Sequence, residues 1–199
     1  MYADTSLRNH NAAALARTLR WRDAQRYLST EIPAQLRPWL LAEGSLTQLL
    51  IAASNGEFRV ERVMQEWQRP TLSEARLLQI DPSQHALIRE VILWGCGKPW
   101  VYARSVIPSR SLRGDLQRLR TLRNSSLGTL LFSFPQLQRT PFELASIATG
   151  AAPTKNTLWA RRSRFSIDEH ALIVGEIFLD DFVEMIARSP NVHRLIQRR

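Results

Sequence analysis

The 199-residue chain reads as an α+β fold: a single antiparallel β-sheet built from hairpins, with helices packed on one side. Two paired segments carry this reading. Residues 85–94 (HALIREVILW) and 99–107 (PWVYARSVI) are β-branched and aliphatic, and Gly95-Cys96-Gly97-Lys98 between them is a turn. Residues 158–167 and 171–179 form a second such pair around Asp168, Glu169 and His170. The strands come as hairpins and do not alternate with helices, which argues against a doubly wound parallel sheet.

Taken in order, residues 1–30 are a polar, Arg-rich lead-in with a weak helical pattern at Ala14, Leu15 and Leu19. Pro33 and Pro38 break the chain before the apolar anchor Trp39, Leu40 and Leu41. Ser45 and Gln48 have capping-box spacing ahead of Leu49, Leu50 and Ile51, and Asn55-Gly56 stops that helix at a left-handed cap. From Phe58 to Trp67 the apolar period falls toward two, with a break near Val63 that predicts a bulge. Residues 70–82 read as a connector. After the first hairpin, residues 112–123 predict a helix, and Ser125 or Ser126 caps a shorter one ending near Phe132. Residues 142–148 predict a strand and residues 150–156 a mobile loop. Asp180 or Asp181 caps a last helix that ends near Ser189-Pro190.

The formal charge of +9 comes almost entirely from arginine: 25 Arg stand against Lys98 and Lys155. A G+C-rich coding sequence accounts for such a bias, and so does anion recognition, since the guanidinium fork binds carboxylate or phosphate bidentately. Residues 110–123 carry five Arg, and residues 188–199 carry four Arg and no acid. Both stretches read as solvated faces, and no DNA- or RNA-binding motif accompanies them, so no specific nucleic-acid partner is expected. One cysteine, Cys96, excludes a disulfide framework, and the four histidines lack metal-ligand spacing. No nucleophile elbow, phosphate-binding Gly-rich loop or dinucleotide fingerprint is present, and Ser163 and Cys96 have no evident base. The start of the chain lacks an apolar signal core and no apolar run is long enough to span a membrane, so a soluble, cytoplasmic protein is expected; it is expected to act as a monomer.

Two polar positions stand out in apolar strands. A symmetric hairpin places Arg89 directly opposite Arg104, two like charges on one face that need compensation. Either a protein carboxylate such as Glu74 or Asp81 supplies it, or an anionic ligand gripped by both forks does. A one-residue slip in the turn would place the two arginines on opposite faces. Glu176 shares a face with Leu172, Val174 and Phe178, so its carboxylate needs a partner. Arg161, Arg162 and Arg164 on the hairpin partner strand offer a structural ion pair. The other reading is a carboxylate that takes a hydrogen bond or proton from a substrate.

Several fragments in a fixed order carry a family resemblance. They include Glu31-Ile32-Pro33, Ser45-Leu46-Thr47, Leu87-Ile88-Arg89-Glu90, Gly97-Lys98-Pro99-Trp100 and the run ARSVIP at 103–108. Leu127-Gly128, the run WARRSR at 159–164, and Glu176-Ile177-Phe178-Leu179 follow. From about residue 21 to residue 180 the chain resembles chorismate–pyruvate lyase of ubiquinone biosynthesis. The resemblance divides the chain into a lead-in (1–20), a lyase-like domain (21–180) and a C-terminal helix with a basic tail (181–199).

It further implies a ligand enclosed under flap segments, no metal or organic cofactor, and cleavage of chorismate to 4-hydroxybenzoate and pyruvate as the first committed step toward ubiquinone. Carried over, Arg89 binds the ring carboxylate, Glu176 faces the ring hydroxyl, and Leu127 makes a backbone contact from the Leu-Gly flap. Leu46 replaces a pocket-lining Met. Arg104 matches a second family arginine, expected to grip the enolpyruvyl carboxylate. The competing reading is a non-catalytic small-anion-binding module like the effector domains of bacterial transcription regulators, for which residues 1–30 are short of a winged helix.

Overall fold

In the computed structural model, which describes residues 12–148 and 157–189, the two expected hairpins form the centre of an eight-stranded, wholly antiparallel sheet. The strands are β1 (Arg22–Asp23), β2 (Phe58–Gln68), β3 (Ala86–Gly95), β4 (Lys98–Pro108), β5 (Gln138–Arg139), β6 (Glu143–Ala148), β7 (Thr157–Ile167) and β8 (His170–Phe178). Their order is β1-β6-β7-β8-β4-β3-β2, with β5 also pairing with β7. The helices are α1 (12–18), α2 (Arg37–Leu40), α3 (Leu46–Ala53), α4 (Leu72–Leu78), α5 (Leu127–Leu131) and α6 (Asp180–Arg188). The expected loop at 150–156, the start of the lead-in and the basic tail beyond residue 189 lie outside the described residues.

Local signals account for much of this. Ser45 caps α3 by accepting from the Gln48 amide, and Ser126 caps α5 by accepting from Thr129. The β2 register shifts at Val63, between Arg62 and Met64, where the alternation breaks. At α6 the capping position belongs to Leu179. Asp180 and Asp181 occupy the first turn, where carboxylates complement the helix dipole.

Four further expectations are corrected. Residues 70–82 contain α4, which opens with a full capping box: the Glu74 amide donates to the Thr71 hydroxyl, and the Thr71 amide donates to the Glu74 carboxylate. Residues 112–123 form 3-10 turns, chiefly Gly114–Thr121, because Leu116, Leu119 and Leu122 recur every three residues and a three-residue turn keeps them on one side. Helices cover both faces of the sheet. Helices α2, α3, α5 and α6 pack on one face, while α1 and α4 meet the other through the clusters around Tyr102 and Ile88.

The fourth correction decides the site. Gly95 pairs with Lys98 and Trp94 with Pro99, but Leu93 pairs with Val101, so Trp100 bulges out of β4. Its ring lies over Gly95, where any Cβ would collide with it, and packs against Phe182 in the core. The extra residue shifts the ladder by one: Arg89 pairs with Ser105, and Glu90 pairs with Arg104. Arg89 and Arg104 therefore point to opposite faces.

Candidate active site

The face shared by Arg89 and Glu176 carries two adjacent rows of side chains across four strands. One row is Arg89, Ser105, Val174 and Ser163; the next is Val91, Ala103, Glu176 and Arg161. Above them lies a cavity with about 630 Å³ of space free of protein atoms, open mouth included. Leu46 and Thr47 of α3 and Ser126, Leu127 and Gly128 at the start of α5 roof it, and Arg139 and Phe142 close one side. The two roof segments are tied by a 2.6 Å hydrogen bond between the Thr47 and Ser126 hydroxyls. A Cβ on Gly128 would sit 3.1 Å from Thr47 Oγ1, so the close approach of the two segments suits a glycine there.

Arg89 is 1 % exposed. Its Nη2 donates to the carbonyls of Leu122, Arg123 and Ser125 at 3.1, 3.1 and 2.8 Å, which draws the loop before α5 down over the cavity. Its Nε has no partner among the described residues. Burial, reinforced by the nearby Arg62 charge, lowers its pKa to about 10, so it remains a cation at neutral pH. A buried cation with an unpaired N–H and no carboxylate bound to it is a site for an anion.

Glu176 has its partner. Arg161 Nε donates to Glu176 Oε2 at 2.6 Å, and Arg161 Nη1 donates to the carbonyls of Trp39 and Ala42 at 2.8 and 3.0 Å. The expected ion pair forms, and it lies inside a cavity with Oε1 left without a protein partner among the described residues. Arg139 lines the same cavity, its Cζ 4.0 Å from the centre of the Phe142 ring; Arg161 Cζ lies 4.7 Å from that ring. Three guanidinium groups and one carboxylate leave the cavity two positive charges in excess. Ser163 adds a buried hydroxyl with no hydrogen-bond partner among the described residues.

Arg89, Glu176, Leu46 and Leu127 therefore converge on one cavity, and Arg104 does not. On the opposite face Arg104 Nε and Nη2 donate to Glu74 at 2.8 and 3.2 Å, and its Nη1 donates to Glu90 at 2.6 Å. The compensating charge for Arg104 is the protein carboxylate Glu74, joined by Glu90. Sequence reasoning missed Arg139 and Arg161 as cavity residues. Arg161 was one of three arginines on the strand paired with Glu176, and only the register singles it out. Arg139 lies on a two-residue strand and carries no local signal.

Residues 15–186 match the family described as chorismate lyase. A probable chorismate pyruvate-lyase of Marinobacter nauticus is 41% identical over 164 residues, covering 81% of this chain and 82% of that protein. One from Pseudomonas aeruginosa strain UCBPP-PA14 is 40% identical over 155 residues, covering 76% and 86%. The chain belongs to the chorismate lyase family. Among solved structures, the effector domain of PhnF from Mycobacterium smegmatis matches 69% of this chain and 90% of its own with a TM-score of 0.50. At 17% identity that likeness concerns the fold alone.

Among the described residues no three His, Cys, Asp or Glu side chains gather as a metal site, and no helix is long and apolar enough to cross a membrane.

Proposed function

We propose that this cavity binds chorismate and releases 4-hydroxybenzoate and pyruvate without a metal or organic cofactor. The observation that carries the reading is the two-unit positive excess of a cavity whose arginines include one, Arg89, with no carboxylate partner among the described residues. Chorismate is a dianion, with one carboxylate on the ring and one on the enolpyruvyl ether. Arg89 and Glu176 lie diagonally across β3, β4 and β8, with Cα atoms about 12 Å apart from strand spacing and rise. A ring substituted at opposite ends can lie between them, its carboxylate on Arg89 and its C4 hydroxyl donating to Glu176. Leu127 begins α5, so its N–H stands outside the helical ladder and can donate to the ligand.

The reaction breaks the bond between C3 and the ether oxygen and removes the hydrogen from C4. The C4–H electron pair enters the ring, which becomes aromatic, and the ether oxygen leaves with its bonding electrons. The departing enolpyruvate takes up a proton and becomes pyruvate. Aromatisation supplies the driving force, so the protein's task is to hold the side chain and ring in a reactive pose. Arg161, fixed by two backbone carbonyls, orients Glu176 toward that pose.

Incubation of the purified chain with chorismate should release pyruvate and 4-hydroxybenzoate in equal amounts, and at the same rate after exhaustive EDTA treatment. Binding of 4-hydroxybenzoate with no pyruvate release would instead establish a small-anion-binding module. Activity lost to EDTA and restored by a divalent metal would overturn the cofactor-free mechanism.

Arg89→Lys should weaken 4-hydroxybenzoate binding about ten- to hundredfold, because a point charge cannot reproduce the bidentate fork. Isothermal titration of the variant checks this, and unchanged affinity would remove Arg89 from the carboxylate site.

A further inference from the structure

We propose that Arg139 is the substrate-binding residue that grips the second carboxylate of the substrate, the one on the enolpyruvyl group. This rests on the lyase reading and extends it to a residue that the family resemblance does not mark. The role falls to Arg139 by the disposition of the other cations. Arg104, the arginine expected there, lies behind the sheet against two carboxylates. Arg161 is engaged through Nε by Glu176 and through Nη1 by two carbonyls. Arg89 meets the ring carboxylate.

Arg139 is the cavity cation left over. It makes no ion pair or side-chain hydrogen bond among the described residues, and it shares the Phe142 ring with the guanidinium of Arg161. Two guanidinium groups against one ring repel each other, and Glu176 makes its ion pair with Arg161. Burial, with the Arg161 charge second, lowers the pKa of Arg139; Glu43 and Glu176 oppose this only through space.

The main chain around Arg139 is pinned for such a task. Arg139 pairs with Phe165 of β7. The Thr140 amide donates to the Arg164 carbonyl at 2.9 Å, and the Thr140 hydroxyl accepts from the Arg164 amide at 3.1 Å. Phe165 and Phe142 also line the cavity, and the fork stands at its side wall over the Phe142 ring. An anion entering there turns the repulsion between Arg139 and Arg161 into a shared attraction.

The aromatic product lacks the second carboxylate, and this makes the proposal testable by ligand comparison. In Arg139→Gln the KM for chorismate and the inhibition constant for pyruvate should rise roughly ten- to hundredfold, while the dissociation constant for 4-hydroxybenzoate stays within about twofold, since its only carboxylate lies on Arg89. Arg139→Lys should recover part of the loss, because the charge returns without the fork. Equal weakening of chorismate and 4-hydroxybenzoate, or no effect on chorismate, would overturn the assignment. If the wild-type chain binds chorismate without turnover, the lyase reading fails on its own. The ratio of chorismate to 4-hydroxybenzoate affinities in wild type and Arg139→Gln then still decides whether Arg139 grips the second carboxylate.

Discussion

Glu176→Gln should lower the rate of pyruvate release by two to three orders of magnitude with the fold intact. The amide is nearly isosteric and keeps a carbonyl oxygen for Arg161 Nε, now 2.6 Å from Glu176 Oε2. Arg161 also keeps its two backbone acceptors, so the guanidinium is not stranded. The variant loses the charge of the acceptor that faces the C4 hydroxyl as the C3–O bond breaks. A charged contact strengthened in the transition state of a dry site is worth on the order of 2–4 kcal/mol, which sets the size of the rate loss. Thermal melting and initial rates, measured on the same preparation, decide the matter. A strongly destabilised protein with near-normal activity per folded molecule would leave Glu176 as a purely structural half of an ion pair.

Arg104→Ala should fail in the opposite way, with stability falling first. Arg104, Glu74 and Glu90 have side chains 6%, 8% and 3% exposed, and the cation answers both carboxylates. Its removal leaves two buried acids without their cation, and breaking such a pair costs about 3–5 kcal/mol. Burial raises the pKa of Glu74, but the hydrogen bonds and charge of Arg104, with the Thr71 amide and hydroxyl, outweigh it and hold the carboxyl below its ordinary 4.5. A carboxyl with a lowered folded pKa contributes stability that is full above the unfolded value and is lost as pH falls through the folded one. Without Arg104 that lowering shrinks, so acid unfolding of the variant should begin at a higher pH than in the wild type. Denaturant titrations at pH 7 and across the acid range test both points. Affinity of the folded fraction for 4-hydroxybenzoate should suffer less than in Arg89→Lys. An undiminished midpoint with binding abolished would return Arg104 to the ligand.

These contrasting outcomes turn on one bulge. The hairpin itself was legible: two aliphatic runs around Gly95-Cys96-Gly97-Lys98 pair as expected, and Cys96 and Gly97 take the positive φ values of a tight turn. A symmetric count from that turn put Arg89 and Arg104 on one face. Trp100 changes the count because its ring is buried over Gly95 and against Phe182, in a helix some eighty residues away. Side-chain period along a strand is two, so one inserted residue reverses the face of everything beyond it. The outcome is the one expected of a slip of one, opposite faces for the two arginines, but the turn keeps its symmetric pairing and the shift arises at the bulge.

The sequence by itself determined what rests on neighbours within a turn or a strand. That includes both hairpins, the Ser45 and Ser126 caps, the bulge at Val63 and the two polar positions Arg89 and Glu176 in apolar strands; Leu46 and Leu127 came from the family resemblance, and the meeting of all four at one cavity belongs to the tertiary structure. Helix α4 was legible too, in the Thr71-to-Glu74 spacing, but two flanking prolines made the segment read as a connector. Tertiary structure alone decided the rest: which of three arginines meets Glu176, which carboxylates meet Arg104, and that Arg139 reaches the cavity from a two-residue strand. Each of these is a meeting of residues distant in the chain, set by register and packing. A buried charge is settled by whichever opposite charge the fold carries to it, and local pattern has no means of naming that partner.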